Sequence, residues 1–321
     1  MEKKRYYHQH VVMKEIGLQG QEKISNSSVA IIGAGALGGR VAELLVRAGV
    51  GKLTVIDRDI IEESNLQRQT LFLPRDVGRS KALIAKERLQ EINPITSTKA
   101  LPIHLNAKNI ISLQKARVVV DCTDNFETRF LLNDFCKKEK IPLVYGAAIM
   151  TEGYAMAILP EGPCLSCFLK EASLETCETL GVLNTITTSI AAIQATLTFK
   201  VLVGEKISPI LYYYDIWQQS LKSLNVKKRV TCQTCKGIYT FLNKDGPIKM
   251  IKFCSTNLYQ IMGEKIALST LKRRWEKMDR VTDDKEALRF KEILLFKDGR
   301  ALIDAPSEQA ALAIYSKWIG S

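Results

Sequence analysis

The apolar positions of residues 1–146 follow two alternating rhythms. Short β-branched runs at residues 28–32, 52–56 and 117–120 are apolar at consecutive positions, as strands covered on both faces are. Between them lie segments with helical spacing, at residues 36–48 and 82–92. In the second of these Leu83, Ile84, Leu89 and Ile92 form one stripe, and Asn93-Pro94 stops the pattern. Residues 96–101 read as a further strand, 105–114 as a short helix, 126–138 as a helix and 141–145 as a strand. A helical lead-in, residues 1–27, ends at the polar break around Ser25 and Ser28. This order predicts an α/β fold: a Rossmann-like, mostly parallel sheet with right-handed crossovers and ligand groups at the strand C-termini.

Beyond residue 146 the pattern changes. Residues 153–158 and the aromatic run 211–215 read as strands, 222–229 as a basic turn or strand, and 184–203 as a long helix. From residue 237 a separate small α+β unit is predicted, with strands at 248–253, 288–290, 293–296 and 301–303 and helices at 265–278 and 308–319. The expected domains are therefore 1–236 and 237–321. The most apolar long stretch, 182–203, is interrupted by Asn184, Gln194 and Lys200, so no membrane span is expected. The N-terminus lacks the apolar run of a signal peptide, and a cytoplasmic location is expected. Net charge is +12, but residues 1–235 carry 30 basic and 23 acidic residues and the remainder 16 and 11. The excess is diffuse, which disfavours a dedicated nucleic-acid arm and suits an acidic protein partner as well as it suits RNA.

Candidate chemistry sits where the predicted strands end. The first strand runs into Gly33-Ala34-Gly35-Ala36-Leu37-Gly38, a G-x-G-x-x-G turn opening a helix. Such glycines let backbone approach a phosphate, and the helix N–H groups and dipole favour the anion. The second strand ends in Asp57, nineteen residues after Gly38, a spacing that suits a carboxylate on ribose hydroxyls. A nicotinamide-dependent dehydrogenase would share these features. Asp59, Ser64, Asn65, Arg68, Gln69 and Lys81 favour another ligand, because they bring two cations and several polar groups to the same strand ends. A triphosphate cleaved between its α- and β-phosphates needs such cations to balance growing charge, whereas a dinucleotide pyrophosphate is cradled by backbone. The strand at 117–121 leads into Asp124 and Asn125. Asp124 reads as a ligand for the Mg2+ that bridges the phosphates; Asp or Asn here equally suits a helix cap, and the two residues could divide these roles.

Two C-x-x-C pairs, Cys164/Cys167 and Cys232/Cys235, have the spacing with which two thiolates reach one tetrahedral Zn2+. Sixty-four residues separate them, a longer gap than a zinc ribbon uses. Four thiolates on one ion would leave no open position, making the site a structural staple. Cys122, Cys136 and Cys254 read as small buried hydrophobes. Cys177 lies in a polar stretch before the long helix, where an accessible thiol could attack an activated acyl group or carry sulfur, although Glu175 and Glu178 would raise its pKa.

Taken in order, Gly33–Gly38, Asp57-Arg58-Asp59, Ser64 to Gln69, Gly78-Arg79-Ser80-Lys81, Asn93-Pro94, Asp121 to Asn125 and both cysteine pairs resemble the family of ThiF, MoeB and HesA over residues 6–235. These are prokaryotic relatives of ubiquitin-activating enzymes. The resemblance implies an ATP- and Mg2+-dependent adenylyltransferase. It would act on the C-terminal glycine of a ubiquitin-like (ThiS/MoaD-like) carrier ending in Gly-Gly, releasing pyrophosphate, for sulfur transfer or protein conjugation. It implies Asp57 on the ribose, Asn65, Arg68 and Lys81 on the phosphates, Asp124 on the magnesium, one zinc shared by the cysteine pairs, and a homodimer. Cys177 falls where some members carry the cysteine that links covalently to the carrier. The sequence departs from the family pattern at Ala36, where glycine is frequent, and at His8, where an arginine reaches across the dimer. Residues 237–321 lie outside the minimal enzyme and, by analogy with larger activating enzymes, suggest a partner-docking module. A nucleotide-binding scaffold without turnover and a tRNA-modifying relative are the alternative readings.

Overall fold

The structure, a computed structural model of the chain, describes residues 3–169, 180–243, 250–252, 257–263, 266–283 and 287–320. Two compact units divide it, Met1–Lys244 and Asp245–Ser321. The boundary lies beyond the expected 236/237 because the 3-10 turn Thr240–Asn243 stays on the first unit. There the Phe241 N–H donates to Asp134 at 2.9 Å, and the Phe241 ring stacks on Phe130 with centroids 5.1 Å apart.

The first unit is built on an eight-stranded sheet. Its strands are β1 (Ser28–Ile32), β2 (Lys52–Ile56), β3 (Ser97–Leu101), β4 (Val118–Asp121), β5 (Leu143–Ile149), β6 (Glu152–Ile158), β7 (Ile210–Asp215) and β8 (Ser220–Asn225), in the order β3-β2-β1-β4-β5-β6-β7-β8. The first five pair in parallel, and β6 to β8 continue as an antiparallel meander. Helices α1 (Lys3–Tyr6), α2 (His8–Val11), α3 (Gly17–Ser25), α4 (Ala36–Arg47), α5 (Lys81–Ile92), α6 (Phe126–Lys138) and α7 (Asn184–Val203) complete it among the described residues. Val29 and Ile31 of β1 enter a core with Leu45 of α4, Ile84 of α5 and Ile190 of α7. Ala30 and Ile32 enter a second core with Phe130 and Leu132 of α6. Both faces of the strand are dry, which is why its sequence does not alternate.

Two details depart from expectation. Residues 105–114 form only a four-residue 3-10 turn, Ile110–Leu113, because the Asn106 side chain accepts the N–H groups of Lys108 and Asn109 and so competes with helix formation. By length and apolarity α7 could cross a membrane, yet 56% of its most apolar window is buried within the fold. It packs against α4 and the sheet, and the Gln194 side chain donates to the Asp121 carbonyl at 2.8 Å.

The second unit has an antiparallel six-stranded sheet of β9 (Met250–Lys252), β10 (Leu258–Met262), β11 (Val281–Asp283), β12 (Ala287–Phe290), β13 (Ile293–Phe296) and β14 (Arg300–Asp304), ordered β11-β12-β13-β14-β10-β9. Helices α8 (Leu268–Trp275) and α9 (Glu308–Trp318) share one core with it, in which Trp275 stacks on Phe290 at 4.8 Å. Strands β10 and β11 were not expected from the sequence.

Candidate active site

The C-terminal ends of β1, β2, β4 and β5 open into a cavity of about 480 Å3. Its floor is the glycine turn. Gly33 has φ +91°, and a Cβ there would lie 2.6 Å from the Cys122 carbonyl oxygen. At Gly38 a Cβ would lie 1.8 Å from the Gly33 carbonyl oxygen, so α4 can pack onto the turn only with glycine at this position. Ala36 is the first helical residue, so its methyl needs no unusual backbone angle.

Asp57 follows β2 and braces the turn. One carboxylate oxygen accepts the Ala34 N–H at 2.6 Å and the other the Asp59 N–H at 2.7 Å. Burial, reinforced by Asp59, pushes its pKa up to about 6, against the opposing effect of Lys81 and the two N–H donors. Lys81 begins α5, with Nζ 3.4 Å from Asp59 Oδ2. Burial alone would lower the lysine pKa, yet Asp59, Asp57 and Asp124 together hold it above the ordinary value. The result is a buried, charged ammonium facing three carboxylates at one rim of the cavity. Arg68 and Gln69 line the same cavity, Arg68 with one guanidinium nitrogen on the Ser64 carbonyl at 2.9 Å.

Not every expected residue reaches the cavity. Ser64 and Asn65 do not line it; Asn65 is buried, accepts the Glu62 N–H and shapes the loop that presents Arg68. Asn125 does line the cavity while also capping the helix, its side chain accepting the Thr128 N–H at 2.8 Å. Asp124 lines the cavity as an exposed carboxylate. Cys177 lies outside the described residues. His8 is exposed on α2, while the neighbouring Tyr7 is buried against Gly49 and its hydroxyl accepts from Asn93 at 2.9 Å.

Arg129, Tyr145 and His104 also line the cavity, and no sequence pattern marks them. The buried Arg129 guanidinium donates to the Thr123 carbonyl and, at 3.3 Å, to the Tyr145 hydroxyl. His104 Nδ1 lies 3.0 Å from Arg58, which also lines the cavity. In sequence Arg129 is one cation in a mixed helix, and no periodicity marks it.

The four paired cysteines converge. Their sulfurs all lie within 4.8 Å of one another, with Cys164–Cys232 at 3.4 Å, Cys167–Cys235 at 3.5 Å and Cys164–Cys167 at 3.9 Å. A tetrahedron of thiolates on zinc has sulfur–sulfur edges of about 3.8 Å. The donor set and its size fit one zinc ion, with no position left for substrate.

The model of the ThiF family matches residues 7–234. The chain belongs to the ThiF family. Among its relatives, the sulfur carrier protein ThiS adenylyltransferase of Bacillus subtilis (strain 168) is 35% identical, and the alignment covers 98% of this chain and 99% of that one. The SAMP-activating enzyme E1 of Haloferax volcanii is 37% identical over 71% of this chain and 87% of its own. Thus one relative shares the second unit, while the other matches a length close to that of the first unit alone. In fold, the family member resembles the crystal structure of E. coli MccB with ATP, at a TM-score of 0.62 and 22% identity over 68% of each chain.

Proposed function

We propose that the chain is an adenylyltransferase that activates the C-terminal glycine of a small ubiquitin-like sulfur carrier with ATP, releasing pyrophosphate. The observation that carries this reading is the buried Lys81 ammonium in a cavity that Arg68 also lines, since two cations suit a leaving pyrophosphate rather than a bound dinucleotide. The names of the relatives supply the acceptor class.

In this reading the glycine turn, Gly33, Gly35 and Ala36, meets the phosphates through backbone, while Asp57 accepts the ribose hydroxyls. Arg68, Gln69 and Lys81 bind the β- and γ-phosphates, with Asn65 and Ser64 holding that loop in place. Asp124 would hold Mg2+, which would supply charge neutralisation at the phosphates. Asp59 keeps Lys81 charged. The carrier carboxylate attacks the α-phosphorus, giving acyl adenylate and pyrophosphate. Cys164, Cys167, Cys232 and Cys235 hold structural Zn2+. Cys177 is assigned to the later covalent step, and the working unit is a homodimer in the cytoplasm, where close thiols stay reduced. Residues 245–321 are assigned to partner docking, and unchanged carrier binding after truncation at Lys244 would remove that assignment.

Carrier-dependent exchange of labelled pyrophosphate into ATP tests the reaction. ATP binding without exchange, for any ubiquitin-like carrier, would instead favour a scaffold, a reading motivated by His8 in the place of the family arginine.

A further inference from the structure

The cysteine centre is held by more than its own knuckles. Asn133 and Asp134, adjacent on α6 and buried to 0% and 1% exposure, divide the two cysteine pairs between them. Asn133 accepts the Leu165 N–H at 2.8 Å and donates to Ser166 Oγ at 3.2 Å, so it grips the interior of Cys164–Cys167. Asp134 accepts the Thr234 hydroxyl at 2.8 Å, inside Cys232–Cys235, and the Phe241 N–H at 2.9 Å just beyond it. Ser166 and Thr234 occupy the same place in their respective C-x-x-C pairs, and their hydroxyl oxygens lie 3.4 Å apart. A carboxylate can only accept, so the direction of the chain is set: Asn133 donates to Ser166, Ser166 to Thr234, and Thr234 to Asp134.

We propose that Asn133 and Asp134 are positioning residues that fix the register of the two cysteine pairs from one rigid helix, so that the four sulfurs are assembled for zinc before it binds. Sixty-four residues of intervening chain would otherwise leave the second pair free to find the first by diffusion, at an entropic cost paid on metal binding. The first turn of α6 contributes Asn125, Phe126, Thr128 and Arg129 to the cavity wall. Nine residues of helix separate Asn125 from Asp134, about 13 Å of rise. The same element therefore registers the metal centre and the active site.

The inference rests on the zinc reading above, and the experiment separates the two. Zinc content of the purified full chain is measured first, followed by its rate of loss to excess chelator, read with a colorimetric zinc indicator. Wild-type protein without bound zinc overturns the metal reading and this inference with it. With zinc present, Asp134→Ala and the same-sized Thr234→Val should release it about 10- to 100-fold faster. Asp134→Asn should restore most of the slow release, since an amide can still accept from Phe241 and donate to Thr234. Release at the wild-type rate in Thr234→Val and Asp134→Ala, or an Asn variant no slower than the Ala variant, would overturn the positioning role while leaving the zinc reading intact. Thr234→Val keeps the test valid if Asp134→Ala fails to fold.

Discussion

Replacing Lys81 by Met removes a cation that faces Asp57, Asp59 and Asp124 together, and the structure sets the size of the effect. At 3.4 Å from Asp59 and an effective dielectric of about 20, the pair's gross attraction is about 5 kcal/mol. Asp59 is 30% exposed and Lys81 10%, so screening and desolvation bring the net contribution to about 2 kcal/mol. For a unit of this size that corresponds to a fall in Tm of about 4–8 °C. The deficit carries a pH signature. Without Lys81, the folded pKa of Asp57 rises further above its unfolded value of 3.8. A carboxylate with a raised folded pKa costs stability once ionised, so the deficit is full well above pH 6 and shrinks as pH falls toward 5. Thermal melts of the ligand-free variant and wild type across that range read it directly. If Lys81 also balances charge on the leaving pyrophosphate, exchange activity falls about 10²- to 10³-fold. A variant that melts with wild type at pH 7.5 and retains full exchange would refute the assignment.

Three further outcomes follow from the same geometry. Adenosine affinity, measured by calorimetry, should be flat above pH 7 and fall about tenfold by pH 5, because ribose hydroxyls favour the ionised Asp57 and the free carboxyl takes up a proton near pH 6. Gly38→Ala forces a methyl to within 1.8 Å of the Gly33 carbonyl, so it should lower stability by about 1–3 kcal/mol and abolish nucleotide-induced thermal shift. Native mass spectrometry should find one zinc per chain, and Cys235→Ser should lose it with a lower Tm, while the wild-type protein gives up its zinc to chelator only slowly.

Much of this site was legible in the chain before any coordinates. The strand ends that carry Gly33, Asp57 and Asp124 are marked by β-branched runs buried on both faces, and the glycine spacing is dictated by clashes that the structure makes explicit. The cysteine pairs were readable as ligands, but their meeting across sixty-four residues depends on β7, β8 and α6, which no local pattern encodes. Arg129, Tyr145 and His104 escaped notice for a related reason. Their roles arise from neighbours brought together by parallel pairing, and each looks ordinary within its own element. In the second unit, β10 has the sequence Leu-Tyr-Gln-Ile-Met, whose polar Gln260 is fully buried, and that breaks the alternation by which a strand is recognised. Asn65, expected on the phosphates, does not line the cavity, and its side-chain oxygen accepts the Glu62 N–H.

The most direct measurement is pyrophosphate exchange into ATP by the zinc-loaded full chain, with and without a ubiquitin-like carrier ending in Gly-Gly. Exchange that requires the carrier and its terminal glycine, and that collapses in Lys81→Met and Asp124→Ala, is the predicted result. Exchange independent of any carrier, or none with the set of ubiquitin-like proteins encoded beside it in its own cell, would contradict carrier adenylation.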